Sequence, residues 1–369
     1  ITSAAAGAAG AADLLSAGAD RSFRRTSLWL QQQDSELTQG HVIAKARKLG
    51  RNTRPSSLKL SPMIDFDSAA LREREWANCV GVHAGSGIAS TWQTTRRALG
   101  KLALGSPVGE GAGDGTAVCV SRCGNFSYVG YSSGRIERYN LQSGLHRGTF
   151  GQGRGTGAGG KGSGVKGGKE EEGHRGAVRG LVIDGTQRML VSAGHDGTVR
   201  LWSVHTREQL ACMHAHSSVA KLCGSIDSAL VAVACDDLKV RIFDVRAQLL
   251  VRQFEGHTRT ITDLAFSPDG RLLLTSGLDG ALRLHDLPTA KLIAWHSLRS
   301  PATSLSWSPR GEFLATTHAG CVAICVWANR VLFANANLDS TVTEAVPLAM
   351  PAGSIARDDD DDDDDEELD

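Results

Sequence analysis

The sequence contains no run of about 18 apolar residues, so it holds no segment able to cross a membrane as a helix. It lacks a charged stretch followed by an apolar one at its start, so no secretory leader is visible. It also opens at Ile1 rather than at Met, and is expected to be a piece of a longer chain. Its eight cysteines include no Cys-x-x-Cys pair. Cys119 and Cys123 are four apart, as are Cys321 and Cys325, and neither pair has a second one nearby, which argues against a zinc site. The cysteines sit in apolar, strand-like runs and are expected to be buried free thiols suited to a reducing compartment.

Net charge is formally zero, from 40 Lys and Arg against 40 Asp and Glu. The balance is uneven along the chain. Asp358 to Asp369 is acidic throughout except for Leu368. Without those eleven acids, 29 remain against 40 basic residues, an excess of about +11 in the body, which suits a polyanionic neighbour such as RNA. The acidic run has almost nothing to bury and repels itself, so residues 351–369 are expected to be a disordered tail, read as solubilising, as an internal mimic of nucleic acid, or as a dock for a basic partner.

The 43 glycines fall between short apolar runs and in one low-complexity block, a pattern of many turns and many short strands. Internal repetition carries the fold. The segments HDGTVRLWSV from His195, DDLKVRIFDV from Asp236 and LDGALRLHDL from Leu278 align, placing Trp202, Phe243 and His285 at one repeat position. Trp327 continues the series, and Tyr139 and Trp92 extend it backwards; the steps are 41, 42 and 42 residues, with one of 63 between Tyr139 and Trp202. The Gly-rich stretch at 151–173 accounts for the long step. A period of about 40 to 45 residues with short strands marks a four-stranded propeller blade. The expectation is an all-β WD40 β-propeller of about seven four-stranded blades, six of them clear in sequence.

These repeats resemble the WD40 family, in which a His before the first strand, a Ser or Thr on the second, an Asp in the next turn and a Trp on the third bond to one another. The resemblance implies that His174, Ser192, Asp196 and Trp202 form such a set, and that His257, Thr275 and Asp279 form another with His285 in place of the Trp. Phe243 replaces the Trp in the blade between. The letters Ser, His and Asp also suggest a catalytic triad, but they recur with the repeat and are read as structural, since a buried His or Asp must be paired. No cofactor, metal or catalytic residue is expected.

Two basic stretches remain. Gly155 to Gly160 formally matches a dinucleotide fingerprint, and Gly160-Lys161 approaches a phosphate loop, but no helix follows, so the block at 151–173 is read as a flexible insertion whose Arg154, Lys161, Lys166 and Lys169 brush RNA loosely. Lys45, Arg47, Lys48, Arg51 and Arg54 are read as a solvated linker or as an RNA-lying or nucleus-addressing segment.

Three passages go beyond the generic repeat: WANCVGVHAGSGIASTWQTTRRALG, CGNFSYVGYSSGRIERYNLQSGLHRGTF and HRGAVRGLVIDGTQRMLVSAGHDG. With FSPDGRLLLTSGLDGALRLHDLPTAKLI they resemble the family of WD-repeat-containing protein 36 and U3 small nucleolar RNA-associated protein 21. The resemblance implies a non-enzymatic scaffold subunit of the small-subunit processome, in the nucleolus, beside other tandem-propeller subunits of the UTP-B subcomplex, U3 small nucleolar RNA and pre-rRNA. It also implies that residues 1–40 end a preceding propeller, that 41–73 form a basic linker, and that 74–350 form the propeller. Near the best-matching passages, Arg135, Arg138, Arg147, Arg175 and Arg179 are candidates for RNA or partner contact. The fold by itself equally allows an adaptor of another complex, such as a ubiquitin-ligase substrate receptor or a signalling hub.

Overall fold

The second strand of blades 2 to 7 is buried along nearly its whole length, as in LVAVAC at Leu230–Cys235, and Gly, Asn, Asp and Ser cluster at the turns, so each repeat folds into an antiparallel meander. The computed structural model describes residues 3–6, 13–28, 34–40, 58–151, 173–225, 228–329, 342 and 344–350. Within these, seven sheets follow one another along the chain. Blade 1 is β1 (Ser3–Ala6), β2 (Asp13–Ala17), β3 (Phe23–Ser27) and β4 (Ser35–Glu36). Blade 2 is β5 (Met63–Ser68), β6 (Cys79–His83), β7 (Ile88–Gln93) and β8 (Ala98–Gly105). Blade 3 is β9 (Gly115–Val120), β10 (Phe126–Tyr131), β11 (Ile136–Asn140) and β12 (His146–Thr149). Blade 4 is β13 (Val178–Ile183), β14 (Met189–Gly194), β15 (Thr198–Ser203) and β16 (Gln209–His214). Blade 5 is β17 (Val219–Gly224), β18 (Leu230–Cys235), β19 (Val240–Asp244) and β20 (Leu249–Phe254). Blade 6 is β21 (Ile261–Phe266), β22 (Leu272–Gly277), β23 (Ala281–Asp286) and β24 (Leu292–Ser297). Blade 7 is β25 (Ala302–Trp307), β26 (Phe313–His318) and β27 (Ile324–Ala328). A last strand, β28 (Val346–Pro347), joins the outer edge of blade 6 in parallel with β24.

The first strand of each blade lines the centre of the ring. The apolar core is divided among the seams between blades, as expected where sheets pack face to face. Trp92 packs with Phe23 and Phe66 of the seam between blades 1 and 2. Tyr139 belongs to the seam of blades 2 and 3, Trp202 to that of 3 and 4, and Phe243 to that of 4 and 5. His285 stacks on Phe254 of the preceding blade, with ring centroids 4.4 Å apart, and Trp327 lies in the seam of blades 6 and 7. The repeated aromatic is therefore a wedge driven from each blade into the one before it.

The N-terminal boundary differs from the sequence expectation. Residues 3–36 form a blade of this ring, with β1 packed between β25 and β5, and are not the end of a preceding propeller. The ring likewise begins before residue 74, because β5 is the inner strand of blade 2. Both elements were disguised for a physical reason. In blade 1 the wedge position is Thr26, which pairs with Leu14 as Trp202 pairs with Leu190. In β5 the acids Asp65 and Asp67 give the strand the look of a polar linker. Of the insertion at 151–173, only Gly151 and Gly173 are among the described residues; the basic residues at 45–54 and the tail at 351–369 lie outside them.

Candidate functional site

In blade 4 the polar set closes as a chain of bonds. His174 Nδ1 lies 3.1 Å from Asp196 Oδ1, His174 Nε2 lies 2.7 Å from Ser192 Oγ, and Trp202 Nε1 donates to Ser192 Oγ at 2.8 Å. With Trp202 donating to Ser192, the serine proton turns to His174 Nε2, and a neutral imidazole donates from Nδ1 to the carboxylate. Burial lowers the His174 pKa, which keeps the ring neutral; bonds from His174, the Arg175 amide and Thr198 outweigh burial at Asp196 and hold its carboxyl well below the usual range. Gly194 makes the room, since a Cβ there would stand 2.4 Å from His174 Nδ1. Blade 6 repeats the arrangement: His257 Nδ1 is 3.1 Å from Asp279 Oδ2 and His257 Nε2 is 2.8 Å from Thr275 Oγ1.

Blades 2 and 7 reach the same end from a different chain position. His83 and His318 occupy the place of Gly194, at the end of the second strand. His83 Nε2 is 2.6 Å from Ser90 Oγ, to which Trp92 Nε1 donates at 2.8 Å. His318 Nε2 is 2.7 Å from Thr316 Oγ1, to which Trp327 Nε1 donates at 2.8 Å. Backbone carbonyls of Ser61 and Ser300 replace the Asp. Sequence reading missed both sets, although His83 and His318 each precede their Trp by nine residues, a shared spacing that was there to be found. Blade 3 differs again: the Tyr131 and Tyr139 hydroxyls bond at 2.8 Å, Tyr139 donates to the buried Glu137, and Ser106 donates to the other Glu137 oxygen at 2.6 Å. These Ser, His and acid groups are bound up in the seams, as buried polar groups must be.

The inner strands enclose a central cavity of about 940 Å³ with Val118, Leu181, Val182 and Leu222 among its apolar walls. Three charges face it from the same level of their strands. Lys221 Nζ lies 4.0 Å from Asp65 Oδ1, and Asp263 stands on the neighbouring blade. The acids also tie blades together. Asp65 accepts from the Val118 amide at 3.0 Å and Asp67 from the Val120 amide at 2.7 Å. Asp263 accepts from Ser304 Oγ at 3.0 Å and from the Leu305 amide at 2.8 Å. Burial opposes the charge of Lys221, but Asp263 and Asp65 outweigh it and raise the ammonium pKa. Burial likewise pushes Asp67 up to about 6. Asp67 thus holds a charge at neutral pH at a cost, while its bond to the neighbouring blade, from the Val120 amide to Oδ2, needs only a neutral acceptor, and Oδ1 takes the local Ser68 amide. Asp67→Asn is expected to raise stability at pH 7.5 by ~1–2 kcal/mol and to leave it unchanged near pH 4. Urea unfolding at the two pH values checks this; a variant less stable at pH 7.5 would show that the charge itself is needed.

The candidate arginines divide into two groups. Arg135 lies in the turn before the third strand of blade 3 and Arg175 in the turn before the first strand of blade 4, while Arg179 stands on that first strand, β13, and borders the cavity. Arg138 and Arg147 lie on the third and fourth strands of blade 3, against blade 4. The eight cysteines are all free, five of them buried. Among the described residues, no three His, Cys, Asp or Glu side chains gather as a metal set.

A family model described as the WDR36/Utp21 second beta-propeller domain matches residues 6–352. The chain belongs to the WDR36/Utp21 family. The match includes blade 1, in agreement with its place in this ring. Within the family, the chain is 38% identical over 339 residues to the U3 small nucleolar RNA-associated protein 21 homolog of Schizosaccharomyces pombe, covering 90% of this chain and 35% of that protein. It is 31% identical over 336 residues to human WD repeat-containing protein 36, covering 90% of this chain and 35% of that protein. It is 31% identical over 346 residues to U3 small nucleolar RNA-associated protein 21 of Saccharomyces cerevisiae, covering 93% and 34%. The chain therefore spans about a third of the length of these WDR36/Utp21 relatives.

Proposed function

We propose that this WDR36/Utp21 propeller is a non-enzymatic scaffold in small-subunit ribosome assembly, a part of the small-subunit processome in the nucleolus. The observation that carries the reading is the match of nearly the whole ring to relatives whose names associate them with U3 small nucleolar RNA. Its partners are other tandem-propeller subunits of the UTP-B subcomplex, with U3 small nucleolar RNA and pre-rRNA alongside. Two features support the reading. The Ser, His and Asp groups that resemble catalytic sets are consumed in blade seams, and the chain outside its acidic run carries an excess of positive charge. Contacts of that kind position an RNA backbone without reading its bases.

The test is recovery of the tagged chain from cells followed by measurement of U3 small nucleolar RNA in the eluate. Enrichment that survives RNase and high salt indicates attachment through protein subunits; enrichment lost on either treatment indicates attachment through RNA. A soluble, intact bait with no U3 RNA, and with ligase or signalling subunits in its place, would overturn the reading.

A further inference from the structure

Three arginines meet at the outer seam of blades 3 and 4. Arg138 stands on β11, Arg147 on β12 and Arg207 in the turn after β15. Arg207 Nη1 donates to the Arg147 carbonyl at 2.8 Å, and Arg138 Nη2 donates to the same carbonyl at 3.4 Å. Arg138 Nη1 donates to the Val204 carbonyl at 2.9 Å, and its guanidinium lies over the Phe126 ring, 5.1 Å from the centroid. Two of the side chains are thus clamped to one peptide oxygen, and the third springs from the residue that owns it. Gly148 permits the arrangement. It has φ +122°, and a Cβ there would stand 1.8 Å from Arg207 Nη1. Only a bare backbone lets the guanidinium lie across β12.

What the cluster lacks is a counter-charge. Several other arginines meet carboxylates: Arg25 meets Asp13, Arg72 meets Glu75, Arg241 meets Asp237 and Arg271 meets Asp286. Among the described residues, no carboxylate comes within ion-pair distance of Arg138, Arg147 or Arg207, and the buried Nε of Arg138 has no bonding partner. Burial, together with the charges of Arg207 and Arg147, lowers the Arg138 pKa, the direction expected of like charges held together. Such a group costs stability unless an anion completes it.

We infer that this seam is a phosphate-binding site and that its ligand is the sugar-phosphate backbone of RNA. Planar guanidinium forks match phosphate oxygens in pairs, and Arg147 is exposed at the rim while Arg138 and Arg207 are half-buried and prearranged. The excess of basic residues in the body favours an extended polyanion over a single phosphorylated side chain. None of the four passages that carry the family resemblance contains Arg207, so sequence reading singled out Arg138 and Arg147 without the residue that joins them.

The proposal rests on the ribonucleoprotein reading above, and the two fail separately. The measurement is binding of the whole chain to a fluorescent single-stranded RNA over a range of salt. R147E/R207E is expected to weaken binding about tenfold or more and to reduce the slope of log K against log[salt] by about 1.4, since a single strand contributes about 0.7 for each phosphate neutralised. R246E/R310E, which changes two exposed arginines on blades 5 and 7, is the control and is expected to change binding less than about threefold. Should the double variant fail to fold, R147E alone gives the same reading at about half the slope change, because that side chain makes no bond inside the described protein. Equal losses in variant and control, or no loss in the variant, overturn the site. Binding of a phosphoserine peptide that the variant abolishes while RNA binding is unchanged also overturns it, in favour of a phosphoprotein. If RNA binding falls as expected but the native chain recovers no U3 RNA from cells, the site stands and the processome reading falls.

Discussion

Trp202→Ala is expected to lower the stability of the ring by about 3–5 kcal/mol, a large share of the ~5–15 kcal/mol that usually separates folded from unfolded domains. Trp202 is fully buried and, with Leu190 of its own blade, packs against Tyr128 and Phe150 of blade 3. Its ring lies 6.2 Å from that of Phe150, at 71°, an edge-on arrangement that adds to simple burial. Truncation opens a cavity in the seam and removes the donor to Ser192, so one end of the chain running through His174 to Asp196 is left loose. Trp202→Phe is expected to cost much less, about 1–2 kcal/mol, because it fills most of the seam and blade 5 already uses Phe243 at this position. Urea unfolding followed by tryptophan fluorescence and by circular dichroism measures both. An alanine variant within about 1 kcal/mol of the native chain would mean that the seam collapses around the loss, and that the wedge is not what holds adjacent blades.

Acidification between pH 6.5 and 4 is expected to remove about 3 kcal/mol through His285 alone. This ring replaces the Trp of the repeat, is almost fully buried, and stacks on Phe254. Burial, then the neighbouring His257 and Arg283, lowers its pKa to about 4. In that window the unfolded chain takes up a proton at His285 and the folded ring does not. Stability is therefore complete above pH 6.5 and falls as pH drops toward 4. His83, His146, His174, His257 and His318 are shifted in the same direction, burial being the first cause for each, so they add to the fall. Asp67 acts oppositely. Its folded pKa of about 6 lies above the unfolded value, so its protonation recovers some stability between pH 6 and 4. Substituting His285→Phe is expected to flatten the dependence of the unfolding midpoint on pH across this range. An unchanged slope would show that His285 charges inside the folded ring or that the seam opens to water.

By itself, the sequence determined the repeat and therefore the class of fold. The spacing of Trp92, Tyr139, Trp202, Phe243, His285 and Trp327 is visible without coordinates because one structural job, filling the seam in front of each blade, recurs at a fixed chain distance. The pairing of His174 with Ser192 and Asp196 was implied by the resemblance of the repeats to the WD40 family, and the bonds are present in blade 4. Several matters were decided only by the tertiary structure. Blade 1 escaped the repeat because Thr26 fills the wedge position and its packing against β25 joins residues from opposite ends of the chain. The inner strand of blade 2 looked polar because Asp65 and Asp67 bond to amides of blade 3, a neighbour that exists only when the ring forms. Histidine sets in blades 2 and 7 escaped because the imidazole reaches the same space from another residue number. Arg138 and Arg147 stand on blade 3 and Arg207 on blade 4, on either side of the insertion in the chain, and a shared carbonyl, together with the missing Cβ of Gly148, brings them together. Local sequence encodes what each strand buries; which charges meet depends on how neighbouring blades stack, and that is written in no single stretch of the chain.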